Sequence, residues 1–297
     1  MRNNTSTALH FSRAAAVYHT RAELQRAVAR KLLQYLSGPV EAERILELGC
    51  GTGFLTGNLL EFLARARIDA IDISATMIEQ ARRAVAANER IHWHVCDVWD
   101  YQAGAVYDLI SSSSSLQWMQ PLDALFCRLA SMLKPGGRLL CSLMVEGTLG
   151  ELHRLRREIA PHKSPRDRLP TTATTVACLQ SAGFWVSRSG QDALQTEHNS
   201  TEDLLRAIKE LGFTGGPLAT SSTLLTRGEL KRLAERYDVE CALPGGKVGA
   251  NYVNYYFEAF KGATERGPSG GLVPAAFHRK HAEDGPSVYW WRSARSL

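Results

Sequence analysis

Apolar and polar positions follow two different periods along this chain. From Phe11 to Leu36 apolar side chains recur at helical spacing (Ala15, Tyr18, Ala22, Leu24, Val28, Leu32, Leu33, Leu36), and Ser37-Gly38-Pro39 stops the run. This predicts a helical N-terminal segment, 1–40, ahead of the main fold. Short β-type runs and longer helical ones then take turns. Strands are predicted at Arg44–Leu48, Ile68–Ile73, Ile91–Cys96, Tyr107–Ser112 and Arg138–Val145. Helices are predicted at Phe54–Ala64, Ala75–Ala87 and Pro121–Leu133, with Ser74 as an N-cap and Lys134-Pro135-Gly136-Gly137 closing the last of them. Repeated β–α alternation gives a parallel sheet covered by helices on both faces.

After Val145 the pattern changes. Thr148–Ala160 reads as a basic helix, Pro161–Pro170 as a proline- and charge-rich loop, and Thr171–Ser181 as another helix. A strand at Phe184–Ser189, helices near Glu202–Leu211 and Arg227–Tyr237, and a strand at Tyr252–Phe260 complete the pattern. The expected fold is α/β, a doubly wound, mostly parallel seven-stranded sheet over 41–262. It carries a helical, basic insertion at about 148–182 after the fifth strand and further helices at 201–237. Past Gly262 the composition shifts to Gly, Pro and charge, so 263–297, with Tyr289-Trp290-Trp291, is expected to be a tail disordered for much of its length.

The 297 residues are 44% hydrophobic and 22% charged, ordinary for a globular protein of one large domain with an appendage. A net charge of +5 falls short of the basic density of a nucleic-acid binder and suits an acidic protein partner or an anionic substrate. Six scattered cysteines with no Cys-x-x-Cys pair argue for a reduced, cytoplasmic setting and against zinc. No apolar stretch reaches membrane-spanning length, and the N-terminus has no signal-peptide core.

The candidate chemistry centres on Ile45-Leu46-Glu47-Leu48-Gly49-Cys50-Gly51-Thr52-Gly53. An apolar strand enters a glycine-rich turn from which a helix starts. Glycine allows both the sharp turn and close approach of a ligand to the main chain, and the helix start offers free N–H groups to an anionic group. Asp72 follows at the distance where a second strand presents a carboxylate to ribose hydroxyls. The dinucleotide fingerprint needs a glycine where this chain has Phe54, so the pattern points to a different nucleoside cofactor. Glu-Leu-Gly-Cys-Gly-Thr-Gly resembles motif I of the class I S-adenosylmethionine methyltransferases. That resemblance implies Glu47, Gly49, Gly51, Gly53 and Asp72 as cofactor contacts. Asp97 would then accept the adenine amino group and the Val98 N–H would meet a ring nitrogen; Asp97 alone reads more readily as a helix cap, and Gly49–Gly53 with Asp72 reverse that reading.

Further segments extend the resemblance. Phe11-Ser12-Arg13-Ala14-Ala15-Ala16-Val17-Tyr18, Leu116-Gln117-Trp118-Met119, Val145-Glu146-Gly147-Thr148-Leu149-Gly150-Glu151-Leu152 and Leu225-Thr226-Arg227 are similar to the malonyl-acyl-carrier-protein O-methyltransferases of biotin synthesis, the BioC family. The similarity spans roughly Leu9 to Gly262. His19 and Ser113 depart from the residues common in those enzymes. The implied reaction is S-adenosylmethionine-dependent methylation of the free carboxylate of a malonyl thioester, carried by acyl carrier protein or coenzyme A. Such a carboxylate is ionised at neutral pH, so no general base is required and catalysis is orientation with water excluded. Tyr18 on a helical lid and Ser113 beside the cofactor would act by positioning, Tyr18 through a cation–π contact worth roughly 0.5–2 kcal/mol; core packing is the other reading of Tyr18. An arginine is expected to hold the malonyl carboxylate. Arg154, Arg156, Arg157 and Lys163 of the basic insertion read either as a solvated face or as the surface receiving an acidic carrier protein. Another small-molecule O- or C-methyltransferase and a catalytically silent cofactor-binding subunit remain as alternatives.

Overall fold

The computed structural model describes residues 4–163, 169–213 and 224–262, and the backbone of 264–266 and 272–274. The N-terminal periodicity resolves into two helices, α1 (Asn4–Arg21) and α2 (Glu23–Leu32), followed by a 3-10 turn over Leu33–Tyr35. The expected continuous run breaks at Ala22, whose ψ of 51° leaves the helical region. The break lets the two helices serve different neighbours. The buried face of α2 (Val28, Ala29, Leu32) packs on the sheet side, while α1 lies against other helices.

The α/β alternation follows as β1 (Arg44–Leu48), α3 (Phe54–Phe62), β2 (Arg67–Asp72), α4 (Ala75–Ala84), β3 (Ile91–Val95), β4 (Tyr107–Ser113), α5 (Leu122–Met132) and β5 (Leu133–Met144). Ser74 caps α4 by accepting the Met77 N–H. Beyond it come α6 (Gly150–Ile159), α7 (Thr172–Ser181), β6 (Phe184–His198), α8 (Thr201–Glu210), α9 (Arg227–Glu240) and β7 (Val248–Lys261). The sheet order is β3-β2-β1-β4-β5-β7-β6, with β7 antiparallel to both of its neighbours and the other pairs parallel. This is the seven-stranded, mostly parallel, doubly wound sheet expected from the alternation. Both late strands are much longer than their apolar runs. β6 and β7 pair from Phe184/Lys261 to His198/Val248, because an antiparallel ladder continues through polar residues wherever each backbone can satisfy the other.

Successive residues of the central strands point to opposite faces, and each face has its own core. Leu46, Leu48, Ile110, Leu139 and Cys141 pack with α5 through Leu125, Phe126 and Leu129. Ile45, Leu109 and Leu140 pack with Val28 and Leu32 of α2 and Leu55 and Leu59 of α3. A third, smaller core joins α6, α8 and α9 to the start of β7 through Leu152, Leu155, Leu204, Leu233, Tyr237 and Tyr252. It includes Met144, so it sits at the carboxyl end of β5, where doubly wound sheets bind ligands. The chain divides into two units, Met1–Gly262 and Ala263–Leu297. In the second, β8 (Thr264–Arg266) pairs with β9 (Leu272–Pro274); Tyr289-Trp290-Trp291 lie outside the described residues.

Candidate functional site

The turn between β1 and α3 is shaped by three glycines in left-handed conformations, Gly49 (φ 61°), Gly51 (φ 53°) and Gly53 (φ 86°). Each has a different reason to lack a side chain. A Cβ on Gly49 would stand 2.5 Å from Ser115 Oγ, and one on Gly53 would stand 2.7 Å from Val85 Cγ2. Around the Cβ position of Gly51 nothing lies within 4 Å. Asp72 braces this turn from the end of β2. Its Oδ2 accepts the Gly51 N–H at 2.9 Å and its Oδ1 the Ser74 N–H at 2.8 Å. Burial raises the Asp72 pKa, and those two N–H groups oppose the shift.

Gly49, Gly51 and Asp72 border a cavity of about 970 Å³, counting its open mouth. The structure brings Tyr18, Glu47, Asp97, Val98 and Ser113 to the same cavity. Gly53 is not among its lining residues; it serves the contact between α3 and α4 instead. Glu47 is buried at the end of β1, and burial pushes its pKa up to about 8 against the pull of Thr56. Asp97 Oδ1 accepts the Trp99 N–H at 3.0 Å, so it caps a turn and faces the cavity at once. Helix α1 closes one side. It packs on α4 and α8, with Ser12 Oγ 2.9 Å from Ser74 Oγ and an ion pair from Arg21 to Glu210. Through it Tyr18 reaches the cavity, its phenol pKa raised by burial and by Asp72.

After β4 the chain turns sharply. Ser114 adopts φ 53°, unusual for a residue with a side chain. Ser115 Oγ donates to Gly49 O at 3.0 Å, tying this turn to the glycine turn. Gln117 is fully buried; its amide nitrogen donates to Ser114 O at 2.8 Å and its oxygen accepts the Met144 N–H. Leu116 enters the core, and Trp118 and Met119 face the cavity. Sequence reasoning missed Phe11, Gln25, Phe54, Ser114 and Trp118 as cavity residues. Phe54 and Ser114 adjoin motif residues and could have been found by adjacency; Gln25 carried no signal of its own.

The basic insertion carries ion pairs. Arg154 Nη1 lies 2.9 Å from Glu158, and the same guanidinium pairs with Glu240 of α9. Lys163 Nζ lies 2.7 Å from Glu229, whose pKa it pulls down to about 2. Arg156 is only 6% exposed. Of the two readings of this segment, a solvated face and a partner surface, the ion pairs weigh against the second for Arg154 and Lys163, because α9 packs beside α6 and brings two glutamates onto them. Of the four named cations, Arg157 is the exposed one without an ion pair among the described residues. None of the four lines the cavity.

Residues 45–137 match the methyltransferase domain family. Malonyl-acyl-carrier-protein O-methyltransferase 2 of Ilyobacter polytropus is 30% identical over 228 residues, which cover 77% of this chain and 87% of that one. The biotin biosynthesis bifunctional protein BioHC of Cellvibrio japonicus is 31% identical over 247 residues, covering 83% of this chain and 48% of that longer one. The structure of a candidate methyltransferase from Bacillus halodurans shares the fold, with a TM-score of 0.56 over 79% of this chain and 99% of that one at 14% identity. This chain belongs to the malonyl-acyl-carrier-protein O-methyltransferase family, S-adenosylmethionine-dependent enzymes on a class I methyltransferase fold.

Proposed function

We propose that this chain methylates the free carboxylate of a malonyl thioester, carried by acyl carrier protein, to its methyl ester in an early step of biotin synthesis. S-adenosylmethionine held in the cavity would supply an electrophilic methyl group to the carboxylate oxygen, with the thioether sulfur of S-adenosylhomocysteine as the leaving group and no proton to be transferred. The cavity fits that ligand. The open space above Gly51 is where a Cβ would project into it, and the buried Glu47 Oε2 and Thr52 Oγ1 lack hydrogen-bond partners there. Gly49 and Gly51 would let the ligand approach the backbone, Asp72 would accept from ribose hydroxyls, and Asp97 with the Val98 N–H would bind adenine. Tyr18 and Ser113 would position the methyl-bearing end.

One observation carries the choice of acceptor. Among the described residues, the side chains that α1, α2 and the turn after β4 contribute to the cavity include hydrogen-bond donors but no histidine, lysine, aspartate or glutamate. The cavity's carboxylates come from the sheet strands and the turn after β3, and each is engaged: Asp72 accepts the Gly51 and Ser74 N–H groups, Asp97 accepts the Trp99 N–H, and burial pushes the Glu47 pKa up to about 8. An acceptor that must lose a proton would need a base there; a carboxylate already ionised does not. Binding, orientation and exclusion of water are then the tasks left to the protein. Six free cysteines suit a reduced cytoplasm as its location. The test is rescue of a biotin auxotroph that lacks its own malonyl methyltransferase. The intact chain should restore growth and a Gly51→Trp variant should not; failure of the intact, expressed chain would refute the proposal.

A further inference from the structure

Among the cavity residues that the cofactor-family motifs leave without a task, two carry unpartnered nitrogen donors. Gln25 lies on the buried face of α2, 5% exposed, between Val28, Ala29 and Leu32 on one side and the α1–α2 break on the other. Neither atom of its amide has a hydrogen-bond partner. The Trp118 indole Nε1 is likewise buried and unpartnered. An indole N–H can only donate, and an amide offers two N–H bonds, so both residues present donors to the cavity. Buried donors left unpaired destabilise the fold unless a ligand supplies the acceptor.

Their place in the fold says which ligand. Gln25 lines the cofactor cavity and also a second cavity bounded by the α1–α2 junction, β6 and α8. Trp118 packs edge-on against Phe11 at 5.3 Å and stacks with Phe213 at 6.2 Å, and Phe213 lines that second cavity. Gln25 thus borders both cavities, and Trp118 reaches the second through its contact with Phe213. No arginine or lysine lines the cofactor cavity among the described residues, so the cation expected to clamp the acceptor is not found there.

We infer that Gln25 Nε2 and Trp118 Nε1 donate hydrogen bonds to the acceptor carboxylate, holding it with neutral groups in place of a guanidinium and selecting malonyl over uncharged acyl thioesters. The inference rests on the methyl transfer proposed above. The chemistry favours such a grip. A fixed cation stabilises the carboxylate charge that must be given up in the reaction, whereas two N–H donors orient the oxygens and leave lone pairs for attack. The opposite charge is then that of the methyl donor itself, which is neutralised in the same step.

The test uses Trp118→Phe, which keeps the stacked ring and removes the N–H, and Gln25→Leu, with Gln25→Met as a second apolar variant should the first fail to fold. Binding of malonyl-acyl carrier protein to the S-adenosylhomocysteine complex is read by calorimetry, with kcat and KM for the same thioester. Each variant should bind the malonyl thioester roughly 10-fold more weakly or worse, while affinity for S-adenosylhomocysteine stays within about twofold. Gln25→Glu should be worse than Gln25→Leu, since it sets carboxylate against carboxylate. A role in packing alone would lower Tm and leave these constants unchanged. A wild-type chain that binds and methylates the thioester, with variants that match it, overturns this inference alone. A wild-type chain that does neither overturns the proposed reaction, and this inference with it.

Discussion

Gly51 and Gly53 stand two residues apart with the same backbone handedness, yet replacing each with alanine should damage different properties. Both substitutions put a side chain in a left-handed conformation, at about 1–2 kcal/mol. For Gly51 that is the whole cost to the fold, because nothing lies within 4 Å of the new Cβ. For Gly53 the Cβ meets Val85 Cγ2 at 2.7 Å, about 1 Å inside the ordinary carbon–carbon contact of ~3.5–4.0 Å. The start of α3 and the end of α4 must then part, which adds about 1–3 kcal/mol of overpacking. Urea unfolding should therefore place Gly53→Ala about 1–3 kcal/mol below Gly51→Ala. A double-mutant cycle with Val85→Ala should recover most of that difference for Gly53→Ala and none for Gly51→Ala. Binding should rank the other way. Gly51→Ala fills space the cofactor needs and should abolish calorimetric binding of S-adenosylhomocysteine, while Gly53→Ala retains it wherever the fold survives. Equal stabilities with no coupling to Val85, or normal binding by Gly51→Ala, would refute this division of labour.

Glu47 titrates at about 8 in the fold against an ordinary 4.5, so across that window the native chain holds a proton that the unfolded chain has released. The stability of the ligand-free protein should therefore fall as pH rises from 4.5 to 8, and Glu47→Gln should flatten that slope in urea melts. Asp72→Ala should weaken S-adenosylmethionine binding by roughly 1–3 kcal/mol and also lower Tm, since the Gly51 and Ser74 N–H groups lose their acceptor; unchanged affinity with an intact fold would reject Asp72 as a ligand contact. Arg157→Glu should raise KM for malonyl-carrier protein at low salt without changing KM for malonyl-coenzyme A, and no difference between the two would remove Arg157 from the partner surface. Deleting Ala263–Leu297 should leave Tm and turnover nearly unchanged, and a large drop in either would show that the second unit supports the first.

The fold was readable because its signals are local. Strand β1 running into Gly49–Gly53 and Asp72 ending β2 need only short-range patterning, and the alternation through β5 follows from it. The break at Ala22 was not readable, because apolar spacing runs through it unchanged and only the different neighbours of α1 and α2 demand it. The lengths of β6 and β7 were hidden for a similar reason, since their outer residues pair by backbone regardless of side chain. The pairing of the insertion was hidden because Glu229 and Glu240, which neutralise Lys163 and Arg154, come from a helix far along the chain. Gln25 left no trace at all. A glutamine in an amphipathic helix looks like its polar face, and only packing turns it inward.

The central claim is a reaction, and it is tested most directly by supplying the purified chain with S-adenosylmethionine and malonyl-acyl carrier protein and analysing both products by mass spectrometry. The account predicts stoichiometric malonyl methyl ester on the carrier and S-adenosylhomocysteine in solution, with no methylation of acetyl-carrier protein. Cofactor binding without transfer to the malonyl group, or transfer to the acetyl carrier as readily, would contradict it.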